Sequence, residues 1–366
     1  MLIRVVIFSL IILVLVGMVF FVCWLIGWCA MHLFHTQRNY GIWAGGAVVL
    51  FAVYIIIYGC TIGFGKLDIR RITFSSVELP KEFDGYRIVH FSDAHLGTYG
   101  MSRQHLLARN VDSINALRPD LIVFTGDIQN LEPSEILPQM QILSRLKAKD
   151  GVISCLGNHD YPIYVRDASP RQKAANLRET IGLQRQMGWT VLLNENVRIT
   201  RDASHSGDSA SAAAFSASHS GGSASAAAFP VSHSGDSAAA KPSIVVAGME
   251  NDGDGRRFPR MGDIAKTLRG VSDADFVVML QHDPTHWRDK ILKESHVQLT
   301  LSGHTHASQF MLLGWSPVQY FYDDWAGVTR IGGCAINVST GMGGFIPFRF
   351  GVPGEICLIT LKSETK

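Results

Sequence analysis

Tyr86-Arg87-Ile88-Val89-His90-Phe91-Ser92-Asp93-Ala94-His95 runs a strand-like apolar segment straight into an Asp-x-His triplet. The same junction returns along the chain. Leu121-Ile122-Val123-Phe124 leads to Thr125-Gly126-Asp127, and Val152-Ile153-Ser154-Cys155-Leu156 leads to Gly157-Asn158-His159-Asp160. Phe276 to Leu280 precedes Gln281-His282-Asp283-Pro284, and Val297 to Leu301 precedes Gly303-His304-Thr305-His306. Between them, His105 to Leu117 has helical spacing stopped by Pro119, and a second helix is expected near Glu135 to Lys147. Short strands alternating with helices of this length predict an α/β domain. In such domains ligand sites gather at the carboxyl ends of strands, which is where each polar group falls.

The residue types suit metal chemistry. Two alternate residues leaving a strand, as in Asp93-Ala94-His95, can converge on one ion. A carboxylate such as Asp127 has two oxygens and can bridge two ions about 3.5–4 Å apart, the clamp used for phosphoryl displacement. Mixed oxygen and imidazole donors fit borderline divalent ions: Mn, Fe, Zn, Co or Ni. One such motif means little, since a lone histidine after a strand is usually a hydrogen-bonded core residue. Five in order, each ending an apolar run, argue for a site. Nucleophilic alternatives lack support: no G-x-S-x-G occurs, and the six cysteines show no CxxC spacing.

The flanking regions differ in kind. Val5 to Trp28 and Ile42 to Phe64 are almost wholly apolar, and each exceeds the ~20 residues that cross a bilayer as helix. A two-helix transmembrane hairpin is therefore expected over residues 1–68, with spans at 5–28 and 42–64. A secretory signal is the rival for the first run, but it is too long and has no A-x-A site after it. Arg4 precedes the first span, Lys66, Arg70 and Arg71 follow the second, and the link holds only Arg38, so positive-inside counting places the large domain in the cytoplasm. The 33 basic and 31 acidic residues leave a charge of +2, which exerts no global pull toward nucleic acid. Between 204 and 240, Ser-His-Ser-Gly recurs at His205, His219 and His233 in a Ser/Ala/Gly-rich tract, read as a low-complexity insert in the 69–366 domain.

The ordered set D-x-H, G-D, G-N-H-D, H and G-H-T-H resembles the calcineurin-like metallophosphoesterase superfamily, in its membrane-anchored bacterial branch. The resemblance implies a fold of two packed mixed β-sheets flanked by helices. It implies one metal held by Asp93, His95, Asp127 and His306, and another by Asp127, Asn158, His282 and His304. His159 would lie over the substrate and assist the leaving oxygen, after in-line attack on phosphorus by a hydroxide held between the ions. Two departures stand out. Many relatives have an acidic residue where this chain has Asn130, leaving Asp160 as the candidate to compensate. Ala307-Ser308-Gln309 follows G-H-T-H where membrane-linked relatives usually carry two glycines. The stretch from Gly341 to Gly351 also looks like that branch and offers Arg349 as a phosphate contact, an ordinary exposed arginine being the alternative.

The expected activity is hydrolysis of a phosphodiester or pyrophosphate, with a lipid-linked substrate such as a UDP-diacylglucosamine-type precursor suggested by the anchor and the family. A phosphomonoesterase, a nucleotide phosphodiesterase and a non-catalytic membrane-tethered scaffold remain the alternatives.

Overall fold

The computed structural model describes residues 2–165, 167–201, 216–217, 241–256 and 258–365. Two helices lead the chain, α1 (Leu2–Leu33) and α2 (Gly41–Tyr58), the second continued by a π-helical turn at Gly59–Gly63. Small residues let them meet: a side chain at Gly41 would strike the Cys23 carbonyl, and one at Gly45 the Phe20 ring. Later residues of α2 face earlier ones of α1, so the pair is antiparallel. Asn39 closes the turn, donating to the Trp24 carbonyl at 3.0 Å and accepting from the Gly41 N–H at 2.9 Å. Leu13–Leu33 and Gly41–Gly63 are long and apolar enough to cross a membrane.

The strands that follow are β1 (Leu67–Ser76), β2 (Arg87–Phe91), β3 (Leu121–Phe124), β4 (Val152–Ser154), β5 (Trp189–Val191) and β6 (Glu195–Thr200). After them come β7 (Ser216–Ala217), β8 (Ser243–Gly248), β9 (Phe276–Leu280), β10 (Leu299–Ser302), β11 (Gly327–Ile331), β12 (Cys334–Val338) and β13 (Gly354–Ser363). They form two sheets, ordered β1-β13-β2-β3-β4-β5 and β11-β12-β10-β9-β8-β6-β7. In the first, β2 to β5 run parallel, and β13 is parallel to β1 but antiparallel to β2. In the second, β12, β10, β9 and β8 are parallel, with antiparallel β11 and β6 on either side. Both sheets are mixed, as the resemblance implied.

The central strands of each sheet are buried on two faces. Ile88, Val123, Ile153 and Ile359 of the first meet Val246, Val278, Leu280 and Leu301 of the second in the central core. The alternate residues Val89, Phe91, Ile122 and Phe124 turn the other way, toward Leu107, Val111 and Ile114 of the helix Gln104–Ala116. Val245, Ala247, Val277 and Met279 pack outward on Trp287 and Ile291. Double burial is why these strands read as unbroken apolar runs rather than alternating ones.

One predicted helix is absent. In place of a helix near Glu135 to Lys147, the chain makes two 3-10 turns, Pro133–Glu135 and Leu137–Gln139, and one short helical turn, Met140–Leu143. Pro138 explains the break: it has no N–H to donate, and its ring obstructs the carbonyl one turn earlier. A helix the sequence reading did not assign, Pro170–Gln186, packs beside β5 instead. It starts with a capping box in which Ser169 and Gln172 satisfy each other's backbone. β6 and β8 pair antiparallel with Thr200 opposite Ser243. The 204–240 repeat that joins them lies outside the described residues, apart from Ser216–Ala217.

Candidate metal centre

β2, β3, β4, β9 and β10 deliver their C-terminal ends to one place between the sheets. The chain leaves them sharply: Asp93, His95, Asp127, His304 and His306 all have positive φ, between 45° and 75°. That conformation costs roughly 1–2 kcal/mol for each L-residue, and such strain concentrates at functional sites. Glycine supplies the room. A side chain at Gly157 would strike Asp127 and the His282 ring, and one at Gly303 would strike Ser92 and Asp93.

The polar atoms converge in two overlapping groups. His306 Nε2 stands 3.2 Å from Asp93 Oδ1 and 3.1 Å from His95 Nε2, and His95 Nε2 is 3.6 Å from Asp127 Oδ2. On the other side His282 Nε2 lies 3.3 Å from the same Asp127 Oδ2 and 3.1 Å from Asn158 Oδ1, which is 2.7 Å from His304 Nδ1. Asp127 Oδ1 is occupied differently, accepting the His159 backbone N–H at 2.7 Å. One oxygen of Asp127 therefore sits between both sets of donors. All seven expected ligand residues come together here.

The electrostatics favour cations in this space. Burial holds the His95 imidazole down to about 3, and His306 lies well below its ordinary value for the same reason, so both rings are neutral with lone pairs to offer. Their Nε2 atoms face each other, an arrangement in which at most one can donate. Burial opposes charge on Asp127, yet His282, His159 and His95 outweigh it and keep the carboxyl well below the usual range. At His282 burial is likewise overcome by Asp127 and Asp93, which push it up to about 10. Buried carboxylates drawing positive charge, with neutral imidazoles at hand, fit a pair of divalent ions held by oxygen and nitrogen. Three subsets, Asp93/His95/His306, His95/Asp127/His159 and Asp93/Asp127/His282, already bring their donor atoms within 4.8 Å of one another.

His159 stands over this cluster, half-buried. Its Nδ1 donates to the Asn130 backbone carbonyl at 2.6 Å, since a carbonyl can only accept. That contact fixes the tautomer and leaves Nε2 as the titrating atom. Asn130 thus orients His159 through its backbone, and its side chain donates to the Phe345 carbonyl at 3.0 Å. Asp160 does not compensate for the missing acid at 130. Its carboxylate braces the loops after β3 and β4, accepting from the N–H groups of Asp127, Ile128 and Gly157 at 2.8, 2.9 and 2.9 Å.

The expectation for Arg349 is corrected. Its side chain is buried, and its guanidinium donates to the carbonyls of Thr340, Gly341, Gly343 and Pro353. It clamps the glycine-rich turn instead of reaching a substrate. That turn in turn holds the end of β2, with Met342 N–H donating to Ser92 O at 2.8 Å and Gly343 N–H to Asp93 O at 3.0 Å.

Several neighbours escaped the sequence reading. The Tyr322 hydroxyl is 2.8 Å from His304 Nε2, and the Phe258 ring meets His304 edge-on at 4.6 Å between centroids. Tyr164 stacks on His159 at 4.2 Å and accepts from Asn158 Nδ2 at 2.8 Å, which aims the amide oxygen at the two histidines. Only Asp283, 3.5 Å from His304 Nε2, carried a signal, as the neighbour of His282 in the fourth motif. An open pocket of about 330 Å³ lies beside the cluster, lined in part by Thr285, Arg288, Phe321, Tyr322 and Asp323.

Comparison with known proteins gives the chain's relatives. An uncharacterized metallophosphoesterase of Bacillus subtilis is 30% identical over 80% of this chain and 84% of its own length. A zebrafish (Danio rerio) transmembrane protein with metallophosphoesterase domain is 27% identical over 86% of this chain, which spans 62% of that relative. A UDP-2,3-diacylglucosamine pyrophosphatase of Chlamydia trachomatis is 38% identical, over 27% of this chain and 30% of its own. The family model for calcineurin-like phosphoesterases matches residues 86–308, from the start of β2 to just past the G-H-T-H turn, and the chain belongs to that family.

Proposed function

We propose that this chain is a membrane-anchored hydrolase of phosphodiester or pyrophosphate bonds, using two divalent ions on the 69–366 domain. One ion is assigned to Asp93, His95, Asp127 and His306, the other to Asp127, Asn158, His282 and His304. The observation that carries the reading is the single Asp127 oxygen lying 3.6 Å from His95 Nε2 and 3.3 Å from His282 Nε2. When bound, the ions supply Lewis-acid charge for phosphoryl oxygens and bring a water's pKa near neutrality.

The chain's own groups do the rest. Asp127 holds both halves of the site in register. Asn158, aimed by Tyr164, presents its carbonyl oxygen rather than its amide. His159, with Nδ1–H fixed on Asn130 O, carries a proton on Nε2 to the departing oxygen. Phe345, 5.2 Å from the His159 ring, limits water on that side.

The residues 1–68 serve as a two-span anchor with the catalytic domain in the cytoplasm, which the basic residues around the spans support. A lipid-linked substrate is supported by that anchor and by the name of the Chlamydia relative. The test is turnover of bis-p-nitrophenyl phosphate by the full chain in detergent with Mn²⁺, followed by a screen of phospholipids, nucleotide-linked lipids and nucleotides. No turnover in any divalent ion, with metal shown to be bound, would leave a binding scaffold in its place.

A further inference from the structure

The segment after G-H-T-H is unusual for a surface. From Ala307 to Tyr322 it has no Asp, Glu, Lys or Arg. Leu312 and Trp315 exchange backbone hydrogen bonds at 2.9 and 3.0 Å around a two-residue tip, Leu313-Gly314, in which both residues have positive φ. Leu313 is 99% exposed, and Tyr320 and Phe321 are 76% and 74% exposed. A fully exposed leucine at a tip whose backbone favours Asn or Gly has no use in water.

The position of the segment says what covers it. Phe350 lies against Tyr58 and Tyr54 of α2, with centroids 5.7 and 6.5 Å apart. Both tyrosines are inside the apolar stretch Gly41–Gly63, and the ammonium of Lys66, the first charge after it, stands 5.4 Å over the Tyr58 ring, which sets this end of the stretch at the headgroup level. Phe310 stacks on Phe350 at 5.7 Å, Trp315 packs on Phe310 at 6.5 Å, and Tyr320 on Trp315 at 6.4 Å. The attachment is firm, because Arg349 N–H donates to Gly59 O at 3.1 Å and a side chain at Gly59 would strike Phe348. An uncharged aromatic ladder thus runs from within the span to the exposed tip, the composition that settles at the headgroup boundary.

We infer that residues 310–321 form a loop that dips into the lipid surface beside α2, seating the metal centre against the membrane. The loop's other end is Tyr322, bonded to His304, and Phe345 beside His159 belongs to the same turn that Arg349 and Phe350 tie to Gly59 and Tyr58. An amphiphilic phosphoester can then reach the cluster while its acyl chains stay in the bilayer. The inference rests on the membrane-anchored reading above and deepens its lipid-linked substrate class.

The test places p-benzoylphenylalanine at Leu313, at Leu50 in α2 or at Asp273, a fully exposed residue at the opposite end of β9 from the site. The full chain is reconstituted in vesicles of phosphatidylethanolamine with a minor share of phosphatidylglycerol, irradiated, and examined for lipid adducts by mass spectrometry. Adducts at 313 and 50, severalfold above those at 273, are expected. Adducts at 50 without 313 overturn the loop and leave the anchor. None at either position overturns both, and equal labelling at 273 overturns the loop as a specific contact. In a second arm, Leu313→Glu with Trp315→Glu should slow hydrolysis of a vesicle-borne long-chain p-nitrophenyl phosphodiester severalfold, with bis-p-nitrophenyl phosphate in solution unaffected. Equal effects on the two substrates would count against the loop. A wild type that hydrolyses neither would fault the proposed activity, while the crosslinking still decides the loop.

Discussion

Arg349 separates two readings of the glycine-rich turn, and Arg349→Ala tests them. In the structure the guanidinium serves four carbonyls; the one at Gly341 also accepts the Glu355 N–H at 2.9 Å, while those of Thr340, Gly343 and Pro353 depend on the arginine. Each buried carbonyl left without a donor costs about 1 kcal/mol or somewhat more, so the loss comes to about 3–4 kcal/mol. For a domain of this size one kcal/mol moves Tm by about 2–3 °C, which gives a fall of roughly 6–12 °C in a detergent-phase melt. Turnover should fall with it, because the turn holds the backbone of Ser92 and Asp93. Lysine has three donors and no planar fork, so Arg349→Lys should recover part of the stability and part of the rate. The reasoning is refuted if Arg349→Ala keeps the wild-type Tm and kcat and only raises KM, since that pattern belongs to a side chain binding phosphate.

Asp127→Ala should lower bound metal, by elemental analysis, from two ions per chain to less than one, and turnover by at least ~100-fold; wild-type metal content would break the bridging assignment. His159→Ala should keep its metal and hydrolyse p-nitrophenyl esters nearly normally, while slowing alkyl esters by ~10²-fold or more. If both slow alike, proton delivery is not its role. Ser308 is exposed at φ 56°, so Ser308→Gly should add about 0.5–1 kcal/mol of stability, and a lower melting temperature would contradict the strain argument. Mn²⁺ at a hundred times its Kd should stabilise the chain by about 2.7 kcal/mol against EDTA-treated protein, whereas an unchanged melt would mean that the folded site holds no ion.

The Ala307-Ser308-Gln309 departure shows how local sequence can mislead. Where relatives usually have glycines, this chain keeps the left-handed turn regardless: φ is 51° at His306, 48° at Ala307, 56° at Ser308 and 54° at Gln309. The turn is maintained by partners from elsewhere. Ser316 Oγ donates to Ala307 O at 2.8 Å, and Gln309 Nε2 donates to the carbonyls of Ile346 and Phe348 at 2.9 and 2.5 Å. Tertiary bonds have replaced conformational freedom. Asn130 teaches the same lesson, for the reading that looked for a missing charge at its side chain overlooked its carbonyl.

What the sequence determined by itself was the periodic part. Unbroken apolar runs marked the central strands because both of their faces are buried, and polar residues at their ends marked the seven convergent side chains because strand termini must leave the core. Two long apolar runs marked the leading helices for an equally local reason. The tertiary structure decided the rest: that one Asp127 oxygen faces both donor groups, that Arg349 is spent on carbonyls, that Tyr322 and Tyr164 bond to His304 and Asn158, and that an aromatic ladder joins α2 to the rim of the site. These are contacts between residues distant along the chain. Their geometry depends on how the two sheets pack and how their loops are held, and no repeat or spacing in the chain records it.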